Sequence, residues 1–170
     1  IYYAWAYARD FNTATGWSNP VAVPQAAPTT SWPDAAIGPD DETVYVIYAA
    51  PFNEKRGIYF TRSNDGGTTW LTPTLVFDAV AVHWDSADKP RLVFDPSANM
   101  LHAIWLRANL PNSLNPRGVY YARSTDGGQT WSQPLALTAG PVDWPRLALN
   151  RTGELVAAWT ETTAPNQADA

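Results

Sequence analysis

Large rings alternate with alanine near the start of the chain, in Tyr3-Ala4-Trp5-Ala6-Tyr7-Ala8. A period of two predicts a strand with two unlike faces. Similar strand-like apolar runs recur along the chain, bounded by proline, glycine and small polar residues. Pro33-Asp34-Ala35-Ala36-Ile37 leads through Pro39-Asp40-Asp41-Glu42 to Val44-Tyr45-Val46-Ile47-Tyr48. Pro90-Arg91-Leu92-Val93-Phe94 leads through Pro96-Ser97-Ala98-Asn99 to Leu101-His102-Ala103-Ile104-Trp105. Pro145-Arg146-Leu147-Ala148-Leu149 leads through Arg151-Thr152-Gly153 to Leu155-Val156-Ala157-Ala158-Trp159. Each reads as strand, tight polar turn, strand. No segment carries helical periodicity over a useful length.

Between these hairpins a second phrase is repeated: Ser63-Asn64-Asp65-Gly66-Gly67-Thr68-Thr69-Trp70 and Ser124-Thr125-Asp126-Gly127-Gly128-Gln129-Thr130-Trp131. Arg62 and Arg123 stand eight positions before the tryptophans, and Pro73 and Pro134 follow three positions after them. Arg9, Trp17 and Pro20 keep the same spacing, which reads as a third, worn copy with Asp10 in the serine place and Asn12 in the aspartate place. With the hairpin strands called A and B, the strand before the motif C and the strand after it D, the chain reads C-D, A-B-C-D, A-B-C-D, A-B. The expected segments are 1–24, 33–77, 90–138 and 145–170. A four-stranded antiparallel unit recurring at intervals of roughly 50–60 residues predicts an all-β fold, a β-propeller, with about three blade-equivalents present.

Composition sharpens this picture. Hydrophobic residues make up 45% of the chain and charged residues only 16%, with 9 Trp and 8 Tyr, so large rings must fill the interior. A net charge of −5 excludes a nucleic-acid binder that works through a basic face. No apolar run approaches the roughly 20 residues of a membrane-spanning helix. Without cysteine there is no disulfide and no thiolate metal site. His83 and His102 are not spaced with other ligands, so neither a metal nor a cofactor is expected. Asn150-Arg151-Thr152 is a glycosylation sequon if the chain is exported in a glycosylating source.

The repeated phrase also explains itself chemically. Its glycines permit the positive φ that a tight C–D turn needs. Asp65 and Asp126 can accept hydrogen bonds from their own turn, and Ser63, Thr69, Ser124 and Thr130 can add side-chain bonds to it. One carboxylate per turn is a poor cation site, so the motif is read as structural. The pattern Ser-x-Asp-x-Gly-x-Thr-Trp resembles the Asp box (BNR repeat) of the sialidase-like β-propellers. It matches at Ser63, Asp65, Gly67, Thr69 and Trp70, and again at Ser124, Asp126, Gly128, Thr130 and Trp131. The resemblance implies a propeller of six blades when complete. It also implies a ligand site on the face opposite the boxes, where sialidases hold a substrate carboxylate with arginines and use a tyrosine, a glutamate and an aspartate.

Strand direction places the D-to-A connections and the B–C loops on that opposite face. Asp34, Arg91 and Arg146 follow the prolines at equivalent points of the A strands, and Trp32, Lys89 and Trp144 precede them. Tyr48, Trp105 and Trp159 end the B strands, with Arg107 and Glu161 just beyond. The ligand-binding candidates are therefore Asp34, Arg91, Arg146, Trp32, Trp144, Trp105, Trp159 and Glu161. The arginines suit a carboxylate because their planar fork matches it. They equally suit a structural role, bonding carbonyls or acids of the neighbouring blade. The family's Arg-Ile-Pro signature is absent, so no catalytic residue is assigned. The expected function is glycan or protein binding, or scaffolding, in an extracellular, cell-surface or periplasmic setting. An exo-sialidase or related glycoside hydrolase and a self-assembling structural protein are the alternatives. Ring closure calls for further blades of a longer chain, which is the favoured expectation, or for a second copy.

Overall fold

The computed structural model describes residues 1–9, 13–110 and 117–161. Asp10 and Asn12, and residues 162–170 of the last expected segment, lie outside the described residues. Among the described residues the chain is all-β apart from one short 3-10 turn, Ala14–Gly16. Strands β1 (Tyr2–Tyr3) and β2 (Val21–Ala22) form a small antiparallel pair. Strands β3 (Ser31–Ile37), β4 (Val44–Ala50), β5 (Gly57–Ser63) and β6 (Thr74–Asp78) form a four-stranded antiparallel sheet in sequence order. Strands β7 (Ser86–Asp95), β8 (Met100–Ala108), β9 (Gly118–Ser124) and β10 (Leu135–Ala139) form a second such sheet. Strands β11 (Val142–Leu149) and β12 (Leu155–Glu161) pair at the end. The first strands of successive units, β3, β7 and β11, lie against one another, so the sheets stand side by side as propeller-like blades.

Period two decides where each side chain goes. On β4, Tyr45, Ile47 and Ala49 enter one core, shared with Leu92, Leu101, Ala103 and Trp105 of the next sheet. Val44, Val46 and Tyr48 point the other way and meet Ile1, Tyr3 and Val23. On β8, Ile104 and Leu106 reach a third core with Val142, Leu147 and Ala157. Both middle strands are thus apolar on both faces, because each sheet is covered on both sides. Tyr48 is fully buried, and burial pushes its phenol up to about 12.

The three A–B turns share one device. Asp40 Oδ1 accepts from the N–H groups of Glu42 and Thr43, Asp95 Oδ1 from those of Ser97 and Ala98, and Asn150 Oδ1 from those of Thr152 and Glu154. The sequon amide is also engaged, as Asn150 Nδ2 donates to Glu154 Oε2 at 2.8 Å.

The two C–D turns that carry the repeated phrase are near copies of each other. Asp65 Oδ1 accepts from Ser63 Oγ at 2.7 Å and from the Thr69 N–H at 2.8 Å, while Thr69 Oγ1 donates to Oδ2 at 2.6 Å. Asp126 repeats this with Ser124 Oγ at 2.8 Å, the Thr130 N–H at 2.9 Å and Thr130 Oγ1 at 2.5 Å. The threonine bonds are the largest cause holding both carboxyls down to about 2.

These turns also clamp one blade to the next. Gly67 presses on the Tyr3 ring and Gly128 on the Phe60 ring, so a Cβ at either glycine would enter the ring. Trp70 meets Tyr3 edge-on at 5.5 Å, and Trp131 meets Phe60 edge-on at 5.6 Å. Arg62 Nη1 and Thr74 Oγ1 donate across the joint to the carbonyls of Gly127 and Gly128, each at 3.2 Å.

The joint corrects one sequence expectation. Tyr3 occupies the place of Phe60, and its pairing with Val21 repeats that of Phe60 with Thr74. The Ser18 N–H donates to Trp5 O just as the Leu71 N–H donates to Arg62 O and the Ser132 N–H to Arg123 O. Trp5, and not Arg9, is therefore the equivalent of Arg62 and Arg123, and Ala6 stands where the motif serine would be. The first C–D connection is four residues longer than the other two, because Ser18 follows Trp5 by 13 positions where Ser132 follows Arg123 by 9.

Two predictions follow from the turns. Gly128→Ala meets both a positive φ of 87° and the Phe60 ring. It should cost about 2–4 kcal/mol in urea unfolding. Gly66→Ala, with φ of 66° and open space around it, should cost only about 1 kcal/mol. The acid response should also be specific. Carboxyls depressed in the folded chain stabilise it above about pH 4, and that contribution is lost as pH falls toward about 2. Circular-dichroism melts of an Asp65→Asn, Asp126→Asn double variant should show a lower midpoint at pH 7 and a shallower fall below pH ~4. An acid fall as steep as in the parent would place the sensitivity elsewhere.

Candidate functional site

Away from the glycine turns, each first strand breaks register at the same point. The breaks lie between Ser31 and Asp34 on β3, between Asp88 and Arg91 on β7, and between Asp143 and Arg146 on β11. Each holds a residue followed by proline: Trp32, Lys89 and Trp144, with φ of 54°, 48° and 54°. A left-handed conformation costs a side-chain-bearing residue about 1–2 kcal/mol. The residue before a proline also prefers extended backbone. The conformation is held locally, since Asp88 Oδ1 accepts from the Lys89 N–H at 2.9 Å and Asp143 Oδ1 from the Trp144 N–H at 2.7 Å.

The bulges turn their side chains toward one another. The Trp32 and Trp144 rings meet edge-on at 5.8 Å. The Lys89 ammonium lies 4.0 Å from the Trp144 ring centre and 5.3 Å from that of Trp32. It donates to Asp143 Oδ1 at 2.5 Å, and Arg117 Nη2 lies 3.5 Å from the other oxygen. Burial opposes ionisation of Asp143, but the bonds from Lys89 and from the Trp144 N–H outweigh it and hold the carboxyl below its ordinary range. Asp88 goes the opposite way, raised by burial despite its bond to the Lys89 N–H. Beside Trp32 opens a hollow of about 300 Å³ lined by Thr29, Thr30, Ser31, Pro51, Phe52 and Asp88.

Immediately after the prolines come Asp34, Arg91 and Arg146. Asp34 Oδ2 accepts from the Leu92 N–H at 2.9 Å, tying β3 to β7. Arg91 and Arg146 each bond the carbonyl of the preceding proline at 2.9 Å through Nη1. Burial, then the like charge of Arg146, lowers Arg91 below the ordinary guanidinium range, with Asp34 opposing. The three groups therefore share one neighbourhood.

Of the eight candidates, Trp32, Trp144, Asp34, Arg91 and Arg146 come together. Trp105 does not. It is fully buried, 5.3 Å from Phe77 in the core between the two large sheets, and offers no surface to a ligand. Trp159 is partly exposed on β12, one strand further out, and Glu161 closes that strand opposite Val142. Lys89, with its partners Asp88 and Asp143, is the centre that the candidate set left out. Its signal was its place before a proline, shared with two tryptophans.

No family model and no curated protein matches the chain. Among solved structures it is similar to the Hadza microbial sialidase Hz136, with a TM-score of 0.62 and 16% identity, over 76% of this chain and 32% of that one. It is also similar to a Dyadobacter fermentans DSM 18053 protein of unknown function, with a TM-score of 0.46 and 18% identity, over 62% of this chain and 35% of that one. The fold is thus sialidase-like, and the chain spans about a third of the sialidase's length.

The Lys89–Asp143 pair should be energetically coupled. Lys89→Met and Asp143→Asn should each cost about 1–3 kcal/mol in urea unfolding, and the double variant about 1 kcal/mol less than their sum. Strict additivity would show that the pair does not hold the bulges together.

Proposed function

We propose that this chain is a segment of an Asp-box propeller that binds acidic glycans, outside the cytoplasm, on the face carrying the bulges. The observation that carries this reading is the convergence of Trp32, Lys89 and Trp144 at three equivalent bulges, with Arg91 and Arg146 two residues after Lys89 and Trp144. Indole faces suit the apolar faces of sugar rings, because stacking removes apolar surface from water on both partners. Two guanidinium groups in one neighbourhood suit a sugar carboxylate. The hollow beside Trp32 adds hydroxyls from Thr29, Thr30 and Ser31 and the carboxyl of Asp88, all able to bond sugar hydroxyls. Asp34 is spent on the joint between blades and takes no part.

A second reading, sialoside hydrolysis, is favoured by the likeness to a sialidase. It needs a nucleophile and an acid to be supplied with these arginines in the whole protein.

Titration calorimetry with 3′-sialyllactose and with lactose distinguishes the outcomes. Binding of the sialylated sugar should be at least about tenfold tighter, and Trp144→Ala or Arg146→Ala should weaken it at least about tenfold. Equal affinity for both sugars would remove the acidic-sugar part of the reading. Turnover of a fluorogenic sialoside, abolished by Arg91→Ala, would replace binding with hydrolysis.

A further inference from the structure

We infer that the hollow beside Trp32 is a subsite for an uncharged sugar ring, so that this face takes an acidic sugar together with the neutral sugar linked to it. The acidic half rests on the function proposed above. The neutral half rests on the hollow alone.

The bulges divide the face by charge. Ser31, Asp88 and Asp143 stand just before them on the first strands, and Asp34, Arg91 and Arg146 just after. The hollow is lined by two of the residues before, Ser31 and Asp88, and by no arginine or lysine. The Lys89 ammonium is turned to Asp143. Burial already raises Asp88 above the ordinary carboxylate range, and a ligand carboxylate beside it would be repelled. The charged end of an acidic glycan therefore belongs on the arginine side of the bulges. Asp88 and Arg91 are three residues apart on one strand, at most about 10 Å, a gap that linked sugar rings bridge.

The lining suits a neutral ring. Trp32 and Phe52 give it aromatic surface, and Phe52 is 54% exposed. Such surface covers the C–H face of a sugar. Two of the hydroxyls are spent within the protein: Thr30 Oγ1 donates to Gln25 Oε1, and Thr29 Oγ1 accepts from Asn53 Nδ2 at 3.3 Å. Ser31 Oγ is shielded from water and has no hydrogen-bond partner among the described residues. No bond holds it there, so a change of rotamer that brings it to a sugar hydroxyl gains a bond and breaks none. At about 300 Å³ the hollow is at the small end of ligand sites, sized for one ring.

The exposed ring is also held in place. Asn53, directly after Phe52, has a φ of 82°. Its Oδ1 accepts from the Lys55 N–H at 2.7 Å, and its carbonyl from the Arg56 N–H at 3.3 Å and Arg56 Nη1 at 3.2 Å. Both rings of the hollow thus sit at left-handed backbone, Trp32 on its own residue and Phe52 on the next. A ring on a fixed turn loses little freedom when a sugar stacks on it.

Titration calorimetry with methyl sialoside, lactose and 3′-sialyllactose separates the two halves. 3′-Sialyllactose should bind about tenfold tighter than methyl sialoside, which lacks the neutral sugars. Phe52→Ala should remove that advantage and leave methyl sialoside binding unchanged, which also shows that the fold is intact. Phe52→Trp should keep the advantage. Equal affinity of the unaltered chain for the two sialosides would overturn the inference while the acidic-sugar reading stands. So would a Phe52→Ala loss shared equally by both. Binding of lactose alone, lost in Phe52→Ala, would remove the acidic-sugar reading and keep the hollow as a neutral-sugar subsite. No binding of any of the three would overturn both.

Discussion

The fold depends on one constraint: the middle strands β4 and β8 have no solvent face. Most of the buried side chains of β4 and β8 are apolar on both sides, so a sheet of this kind cannot be satisfied alone. It needs a neighbour on each side, and the three apolar cores are those neighbours' contacts. Stability therefore belongs to the spaces between sheets more than to the sheets. The glycine turns serve this arrangement. Their internal hydrogen bonds make a rigid knuckle, and the knuckle closes on a ring of the preceding blade. A motif that looks self-contained is a fastening between two units.

At the other end of the same strands the backbone takes the opposite course. The bulges place three side-chain-bearing residues in a left-handed conformation, each directly before a proline. Nothing about sheet formation requires this. What the bulge achieves is direction: it lifts Trp32, Lys89 and Trp144 out of the pleat, so that residues from three separate sheets meet. Strain that recurs at equivalent positions and converges on one point is a reason to look for a ligand there. Trp144 needs Asp143 both as the acceptor of its own N–H and as the anchor of the cation beside its ring, so the bulge and the cluster stand or fall together.

Much of this was legible in the sequence, and the failures have physical causes. The hairpins and glycine turns could be read because alternation and turn chemistry are local. The first unit could not be placed in register, because Tyr3-Ala4-Trp5-Ala6-Tyr7-Ala8 looks the same after a slide of four residues. An arginine at a matching distance from a tryptophan was then enough to mislead. The pairing of Tyr3 with Val21 and the hydrogen bond from the Ser18 N–H to Trp5 O fix the alignment. Trp105 was misplaced for another reason: a tryptophan near a strand end can line a rim or fill a core, and which it does depends on the sheet opposite. The left-handed residues were illegible because the ordinary rule for a residue before proline points away from them. The convergence of Lys89 with the two tryptophans is a fact of three sheets at once.

The clamp between blades also has a polarity. Each of the two whole units carries a ring on its third strand, Phe60 or Tyr121, and a glycine-and-tryptophan jaw on the turn that follows it. The jaw of one unit closes on the ring of the unit before. A single blade thus carries one complete plug and one complete socket, and neither engages its own counterpart. Copying such a unit in tandem produces a new joint that is correct from the first generation, with no matching change elsewhere in the chain. A blade built in this way can be duplicated without redesign, and the two turns around Asp65 and Asp126, with the same bonds in both, are interchangeable parts of that kind.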